Sequence, residues 1–138
     1  MLPVTSIQKL ENSIINALFV FFISLPFILF VKIAIQRKLL LVLFFLLYKL
    51  GVVFFNKGRS LGMMLTKTHW KENYPLHKHL LHSFWYALSF STLLFWIFFP
   101  FDIFFLNMLL QYFFIKKKGM TLSEYLSGGM EAVKMQTP

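Results

Sequence analysis

The sequence predicts an all-α, polytopic transmembrane helical bundle with two spans, a Pro-turned helical hairpin and an interfacial amphipathic helix. Three long apolar segments, 14–31, 39–55 and 83–115, are separated by short basic stretches. The chain is 58% hydrophobic and 14% charged, whereas soluble proteins are roughly 45–50% apolar and about 25% charged. A domain of 138 residues is too small to hide so many large side chains from water. We therefore expect a single membrane domain over 1–138.

The first segment, 14–31, is long enough for one crossing, because about 20 helical residues span a hydrocarbon core of roughly 30 Å. A short polar lead with Lys9 and Glu11 precedes it, as in a signal peptide. The apolar run is longer than a typical signal core, and no small-residue cleavage site follows. We expect a retained span in which neighbouring helices compensate for Pro26.

The second segment, 39–55, is predicted to be another span. The third, 83–115, would form a helix roughly 50 Å long, which exceeds the membrane thickness. Pro100 and Asp102 interrupt it. The sequence therefore favours segments 83–99 and 101–115 joined by a turn at 100–102, either as two short crossings or as a re-entrant pair, which gives three or four membrane segments.

Two polar regions complete the domain, the interfacial segment 56–82 and the tail 116–138. In the first, helical spacing of Leu61, Met64, Leu65 and Thr68, with Trp70 beyond, predicts an amphipathic helix at headgroup depth. In the tail, Thr121 and Glu124 have capping-box spacing. The apolar face of a tail helix would consist of Tyr125, Leu126, Met130 and Val133.

The net charge of +9 is interpreted together with the apolar segments. Basic residues flank the spans, where anionic lipid headgroups attract them, and they are too scattered to predict nucleic-acid binding. The chain has no cysteine, which excludes disulfides and thiolate metal sites. We expect no cofactor.

Four histidines were considered as metal ligands or catalytic groups: His69, His77, His79 and His82. His79 and His82 share a helix face, but no carboxylate stands at metalloprotease spacing. We predict solvated interfacial histidines and no metal site. Since no nucleophile–base pair is visible either, the chain is not expected to be an enzyme.

Polar residues near membrane depth are functional candidates by default, because ionisable groups in hydrocarbon are costly unless paired. Here they are Asn16, Lys49 and Asp102. Each also has a structural interpretation. Asp102 could lie at the surface in the hairpin turn, Lys49 could extend toward Asn56 and the interface, and Asn16 could make interhelical hydrogen bonds.

Three segments together resemble the RDD family of bacterial membrane proteins. Segment 9–16, Lys-Leu-Glu-Asn-Ser-Ile-Ile-Asn, is similar to that family's Arg-Leu-x-Ala-x-x-Ile-Asp opening. Segment 58–62, Gly-Arg-Ser-Leu-Gly, resembles its Gly-x-Thr-x-Gly-Lys. Because these glycines lie in a polar stretch, they favour a tight turn into the amphipathic helix over a helix-dimer face or a phosphate cradle. Segment 121–128, Thr-Leu-Ser-Glu-Tyr-Leu-Ser-Gly, resembles its Thr-Leu-His-Asp-x-x-x-Gly. The matching positions are Lys9, Asn16, Gly58, Ser60, Gly62, Glu124 and Gly128.

The departures from the family pattern limit what the resemblance implies. Where the family has an Arg and two Asp, this chain has Lys9, Asn16 and Glu124, and Met63 replaces a Lys. Some RDD proteins are linked to cation/proton antiport, which needs an intramembrane group that gains and loses a proton. Asn16 cannot do so. The resemblance further implies that Lys9 and Glu124 approach each other, or neighbouring polar groups, at the cytoplasmic ends of the first span and the tail helix.

These observations favour a non-enzymatic structural or accessory subunit of a larger membrane assembly, which packs against other membrane helices. The alternative is an oligomeric cation/proton transporter of RDD type. Four short helices are too few to surround a polar path alone, so a transporter would form a homo-oligomer. In either case the expected location is the bacterial cytoplasmic (inner) membrane.

The charge distribution predicts the orientation in that membrane. With both termini and segment 56–82 in the cytoplasm, ten basic residues lie inside, only Lys32, Arg37 and Lys38 lie outside, and Lys49 lies within a span, in agreement with the positive-inside rule. A cysteine at Thr137 should then react with a membrane-impermeant thiol reagent only after the membrane is opened. Labelling of intact cells at that position would contradict the hairpin topology.

Overall fold

The computed structural model describes residues 2–93 and 104–134, and this part of the chain is mostly helical. Its elements in chain order are β1 (Leu2–Pro3), α1 (Ser6–Ile28), α2 (Ala34–Asn56), α3 (Leu61–Leu65), β2 (Thr68–Trp70), α4 (Leu76–Phe90), α5 (Phe104–Lys118), α6 (Leu122–Leu126) and β3 (Ala132–Lys134).

The first two predicted spans are confirmed as long apolar helices. Each of α1 and α2 has 23 residues, and both are apolar enough to cross a membrane by length and composition. A core helix of a soluble protein would be mostly buried. In α1 and α2, only 33% and 17% of the most apolar 18-residue stretch is buried, respectively. α1 begins earlier than the apolar run, because Thr5 and Gln8 form a capping box. Pro26 lies inside α1, which ends at Ile28.

The third apolar segment is represented by α4 and α5, each of 15 described residues. A helix of that length is about 22 Å long, so neither passes as a span by itself. The predicted turn at Pro100–Asp102 lies outside the described residues. α4 begins at Leu76, within the segment predicted to be interfacial. It runs antiparallel to α2, because Lys38 near the start of α2 donates to the carbonyl of Ser91, just beyond α4, at 3.0 Å.

The prediction of an amphipathic helix over residues 61–68 is wrong in extent. α3 has only five residues, beginning after Ser60, whose Oγ accepts a hydrogen bond from the Met63 amide. It ends because Lys67 adopts a left-handed conformation with φ 57°. Thr68 then starts β2. The helical spacing of apolar residues was real, but the chain reverses direction before a second turn forms.

The tail is also divided, into the five-residue helix α6 and the strand β3. The predicted apolar face does not form: Met130 and Val133 are buried, whereas Tyr125 and Leu126 are largely exposed. β3 lies between β1 and β2 in an antiparallel sheet that the all-α prediction omitted. Strands of two or three residues are too short to show an alternating pattern, so the sequence did not indicate them. The sheet holds the chain start, the α3–α4 connection and the tail together.

The apolar core lies between α1, α2, α4 and α5. Its buried residues are Ala17, Val20, Leu41, Phe45, Tyr86, Ala87, Phe90 and Met108. Tyr86 stacks on Phe90 with ring centroids 4.4 Å apart, and Phe45 meets Phe21 edge-on at 5.5 Å. Fully buried Ala17 and Ser83 let the helices approach closely, as small residues do in membrane bundles.

Close contact between α3 and α1 yields a stability prediction. A Cβ on Gly62 would lie 2.9 Å from Asn12 Cα, while a Cβ on Gly51 would have no atom within 4 Å. Gly62→Ala must displace backbone and should destabilise the fold by roughly 1–3 kcal/mol. Gly51→Ala, the matched control, should be neutral or stabilising because Ala favours helix over Gly. Thermal unfolding in detergent measures both changes, and equal midpoints for the two variants would contradict the packing described here.

Candidate functional site: a buried polar cavity

A small polar cavity lies beside the apolar core, where α1, α2, α3, α4 and α6 meet; we call it the central cavity. Its volume is about 40 Å³, enough for roughly three water molecules. Its lining is mainly polar or charged and consists of Lys9, Asn12, Ser13, Asn16, Lys49, Ser60, Met63, Trp70, His82, Tyr86, Thr121, Ser123, Glu124 and Ala132.

α1 contributes a polar stripe to this lining. Lys9, Asn12, Ser13 and Asn16 follow the i, i+3, i+4, i+7 spacing of one helix face, and all four are buried. The same face continues into the apolar core through Ala17 and Val20. Lys9 and Asn16 were predicted as candidates from the sequence, whereas Asn12 and Ser13 were not, although the spacing of the four residues indicates one helix face.

Asn16 connects three segments through its side-chain amide. Its Oδ1 accepts hydrogen bonds from the Tyr48 hydroxyl at 2.7 Å and the Gly62 amide at 2.9 Å, and its Nδ2 donates to Ser60 Oγ at 3.1 Å. The hydroxyl of Tyr48 also accepts a bond from the Leu61 amide at 3.0 Å. The predicted interhelical bonding of Asn16 is thus confirmed, with the start of α3 as an additional partner.

A second polar contact lies one turn earlier on α1. Asn12 Nδ2 donates to Thr68 Oγ1 at 3.3 Å, and the Thr66 hydroxyl donates to Asn12 Oδ1. Thr68 belongs to β2, and its carbonyl accepts a bond from Arg59 Nε at 2.9 Å. These hydrogen bonds attach the segment after α3, where the chain reverses direction, to α1.

Gly58 occupies a tight turn, which was one of three interpretations that its spacing allowed. Its φ is +80°, in the left-handed region that favours glycine, and Lys57 before it has φ 54°. The Trp70 indole donates to the Gly58 carbonyl at 2.7 Å, and a Cβ on Gly58 would lie 2.8 Å from His79 Nδ1. The turn is therefore packed within the chain. Gly128 makes a second left-handed turn with φ +98°, away from the central cavity.

Lys9 and Glu124 form a buried ion pair, so they approach each other as the RDD resemblance implied. Lys9 Nζ lies 3.2 Å from Glu124 Oε2, and the two side chains are only 7% and 9% exposed. Lys9 Nζ also donates to the Gly119 carbonyl at 2.7 Å. Burial raises the pKa of the Glu124 carboxyl above its ordinary value of 4.5, while the Lys9 ammonium acts in the opposite direction. The pair thus offsets only part of the cost of removing the carboxylate from water.

His82 and His79 differ from the solvated set that was predicted, whereas His77 is exposed as expected. His82 is buried, with its Nε2 3.5 Å from Ser123 Oγ of α6, and its ring meets Trp70 edge-on at 5.3 Å. His79 also packs edge-on against Trp70, at 5.9 Å. Within residues 2–93 and 104–134, no three His, Asp or Glu side chains are grouped as they would be around a metal ion.

Lys49 is buried in the central cavity, so the prediction that it extends toward Asn56 and the interface is wrong. The residue is 4% exposed, and its Nζ lies 4.6 Å from the centre of the Tyr86 ring. It continues a buried stripe of α2 formed by Lys38, Leu41 and Phe45. A side chain on that stripe must enter the bundle, whatever its length. The third candidate, Asp102, lies outside the described residues.

Comparison of the chain with protein-family models, with curated proteins and with solved structures finds no match. The RDD resemblance therefore depends on the three segments alone. Four of its seven positions, Lys9, Asn16, Ser60 and Glu124, line the central cavity.

The buried ion pair gives a test of this arrangement by double-mutant cycle. Lys9→Met leaves the Glu124 carboxylate buried without its partner and should cost about 3–5 kcal/mol of unfolding free energy. Adding Glu124→Gln should restore part of that loss, because the unpaired charge is gone. The coupling should therefore exceed the roughly 0.5 kcal/mol expected of independent sites.

Lys71 and Glu131 provide the matched control for this cycle. Their Nζ–Oε2 distance is also 3.2 Å, but the side chains are 57% and 47% exposed. Solvent screening should leave their coupling much smaller than that of the buried pair. Additive effects of Lys9→Met and Glu124→Gln in chemical unfolding would show that the buried residues do not interact.

Proposed function

We propose that this chain is a small multi-pass protein of a bacterial cytoplasmic membrane and acts as a non-enzymatic structural or accessory subunit of a larger membrane assembly. The observation that carries the proposal is the uncovered apolar surface of α1 and α2, which we call the outer face. Phe22 and Phe55 are 80% and 92% exposed within the described part of the chain. Further exposed side chains on this surface are Leu18, Phe27, Leu39, Leu43 and Leu47.

The outer face suits lipid and other membrane helices. Lipid tails are as apolar as these side chains, so the outer face is stable in contact with them. Because lipid gives no hydrophobic driving force, association with a neighbouring helix depends on shape and van der Waals contact. Rings such as Phe22 supply large rigid contact areas for that purpose. Anionic headgroups complement the basic residues Lys116–Lys118 in the last turn of α5.

The polar interior also favours a structural role. Asn16 has three hydrogen bonds within the chain, and Lys9 and Glu124 neutralise each other. Groups bonded in this way hold helices in a fixed arrangement. The pairing of β1, β2 and β3 supports the proposed orientation, because it holds the N-terminal segment, segment 56–82 and the tail at one end of the bundle.

An oligomeric cation/proton transporter of RDD type is the second candidate function. The observation that favours it is the concentration of ionisable groups in the central cavity, namely Lys9, Lys49, His82 and Glu124. Buried ionisable groups in membrane bundles are typical of ion and proton pathways. Other copies of the chain would have to complete such a pathway.

Flux measurements separate the two functions. For a structural subunit, proton and cation movement into liposomes containing the purified protein should equal that into empty liposomes over a range of pH. A transporter would show pH-dependent flux that Lys49→Met, Glu124→Gln or Asp102→Asn abolishes and the exposed control Lys71→Met retains. Flux with that pattern would overturn the subunit proposal.

The assembly itself should be visible in cells. A photo-crosslinking residue at Phe22 on the outer face should join the chain to one defined membrane protein, whose complex decreases in amount when the chain is deleted. The same probe at the fully buried Phe45 is the control and should give no product. A normal level of every membrane complex after deletion would contradict an accessory role.

A further inference from the structure

Two hydrogen-bond donors in the central cavity have no acceptor among the described residues. Lys49 Nζ makes no hydrogen bond there and contacts the face of the Tyr86 ring. Tyr86 Oη is buried without a hydrogen bond of good geometry, although it lies near the Asn16 side chain. Both residues are more than nine-tenths buried, at 4% and 3% exposure. A fully buried donor without an acceptor, such as the Tyr86 hydroxyl, is rare in folded proteins and indicates a missing partner.

The charges around the cavity identify the kind of partner. Among the described residues, the ionisable groups that face it are Lys9, Lys49, His82 and Glu124, and His79 lies near His82. Lys9 and Glu124 are paired at 3.2 Å, which leaves the Lys49 ammonium as the surplus charge when the histidines are neutral. A buried ammonium is costly without a counter-charge. The Tyr86 ring offsets part of that cost through a cation–π contact.

We propose that the central cavity binds one small monovalent anion, of which chloride is the simplest example, between Lys49 Nζ and Tyr86 Oη. One negative charge balances the Lys49 surplus. The volume of about 40 Å³ accommodates such an ion. A phosphate dianion would exceed that surplus and leave an unbalanced negative charge buried in the cavity. Lys9 reduces repulsion from Glu124, because its ammonium holds that carboxylate.

This site is independent of the proposed function, since an anion held between α2 and α4 stabilises the bundle whether the chain is a subunit or a transporter. The bound ion would link two helices that lack a direct hydrogen bond at this depth in the part of the chain described. It assigns Lys49 a role that the RDD resemblance does not supply and that differs from a place in a transport pathway.

Thermal unfolding of the full-length protein in detergent tests the proposal. The midpoint should rise with chloride and with bromide at constant ionic strength and should saturate as for one site. Sodium gluconate serves as the reference salt, because its anion is too large for the cavity. Line broadening of the chloride-35 NMR signal should report the same binding directly.

Variants identify the donors. Lys49→Met should abolish the chloride-dependent rise, whereas Lys71→Met should retain it, because Lys71 is exposed and does not line the cavity. Tyr86→Phe keeps the ring under Lys49 and removes only the hydroxyl. Losing one hydrogen bond to a charged ligand should weaken chloride binding by roughly tenfold or more.

Each outcome decides the question. Equal midpoints in chloride and gluconate, with no NMR broadening, would show that the cavity holds water alone. A chloride effect that persists in Lys49→Met would place the ion elsewhere. If Lys49→Met fails to fold, Tyr86→Phe and the NMR measurement still decide, since unchanged chloride affinity in Tyr86→Phe would overturn the site. Flux in liposomes has no bearing on these results.

Discussion

The arrangement of this bundle depends on the hydrogen bonds of Asn16. A buried amide in an apolar environment is strongly destabilising unless its oxygen and nitrogen are both bonded. Here the bonds run to Tyr48 of α2 and to Ser60 and Gly62 at the start of α3. Satisfying one side chain therefore fixes the position of two helices relative to α1. It also explains the absence of a side chain at Gly62, whose backbone must come within bonding distance of α1.

The other buried polar residues obey the same requirement for hydrogen-bond partners. The stripe on α1 that ends at Asn16 begins at Lys9, and each of its members needs a partner in a region without bulk water. The connection after α3 supplies Thr68 for Asn12, and the tail supplies Glu124 for Lys9. The small sheet then holds these distant segments together. Lys49 enters the same interior from α2. Its ammonium has no hydrogen-bond acceptor among the described residues, so one donor group in the cavity is left without a partner there.

The division between a polar interior and an apolar exterior connects the fold to the proposed function. Core helices of soluble proteins bury most of their apolar side chains, whereas α1 and α2 leave most of theirs uncovered. In a membrane, such a surface contacts lipid or other helices. The polar groups inside are largely bonded to one another, which suits a rigid packing unit. The two candidate functions thus assign different roles to the same ionisable groups, as fixed links or as a pathway.

The sequence by itself determined the long apolar helices, because a run of hydrophobic residues sufficient to cross a membrane is a local property. The resemblance of three segments to the RDD family further implied that Lys9 and Glu124 approach each other. Only the tertiary structure decided that α3 stops after five residues, that β1, β2 and β3 pair, and that Lys49 faces the cavity. Each of these depends on contacts between residues far apart in the chain. A buried side chain finds its partners only after the helices have packed, and no local pattern contains that information.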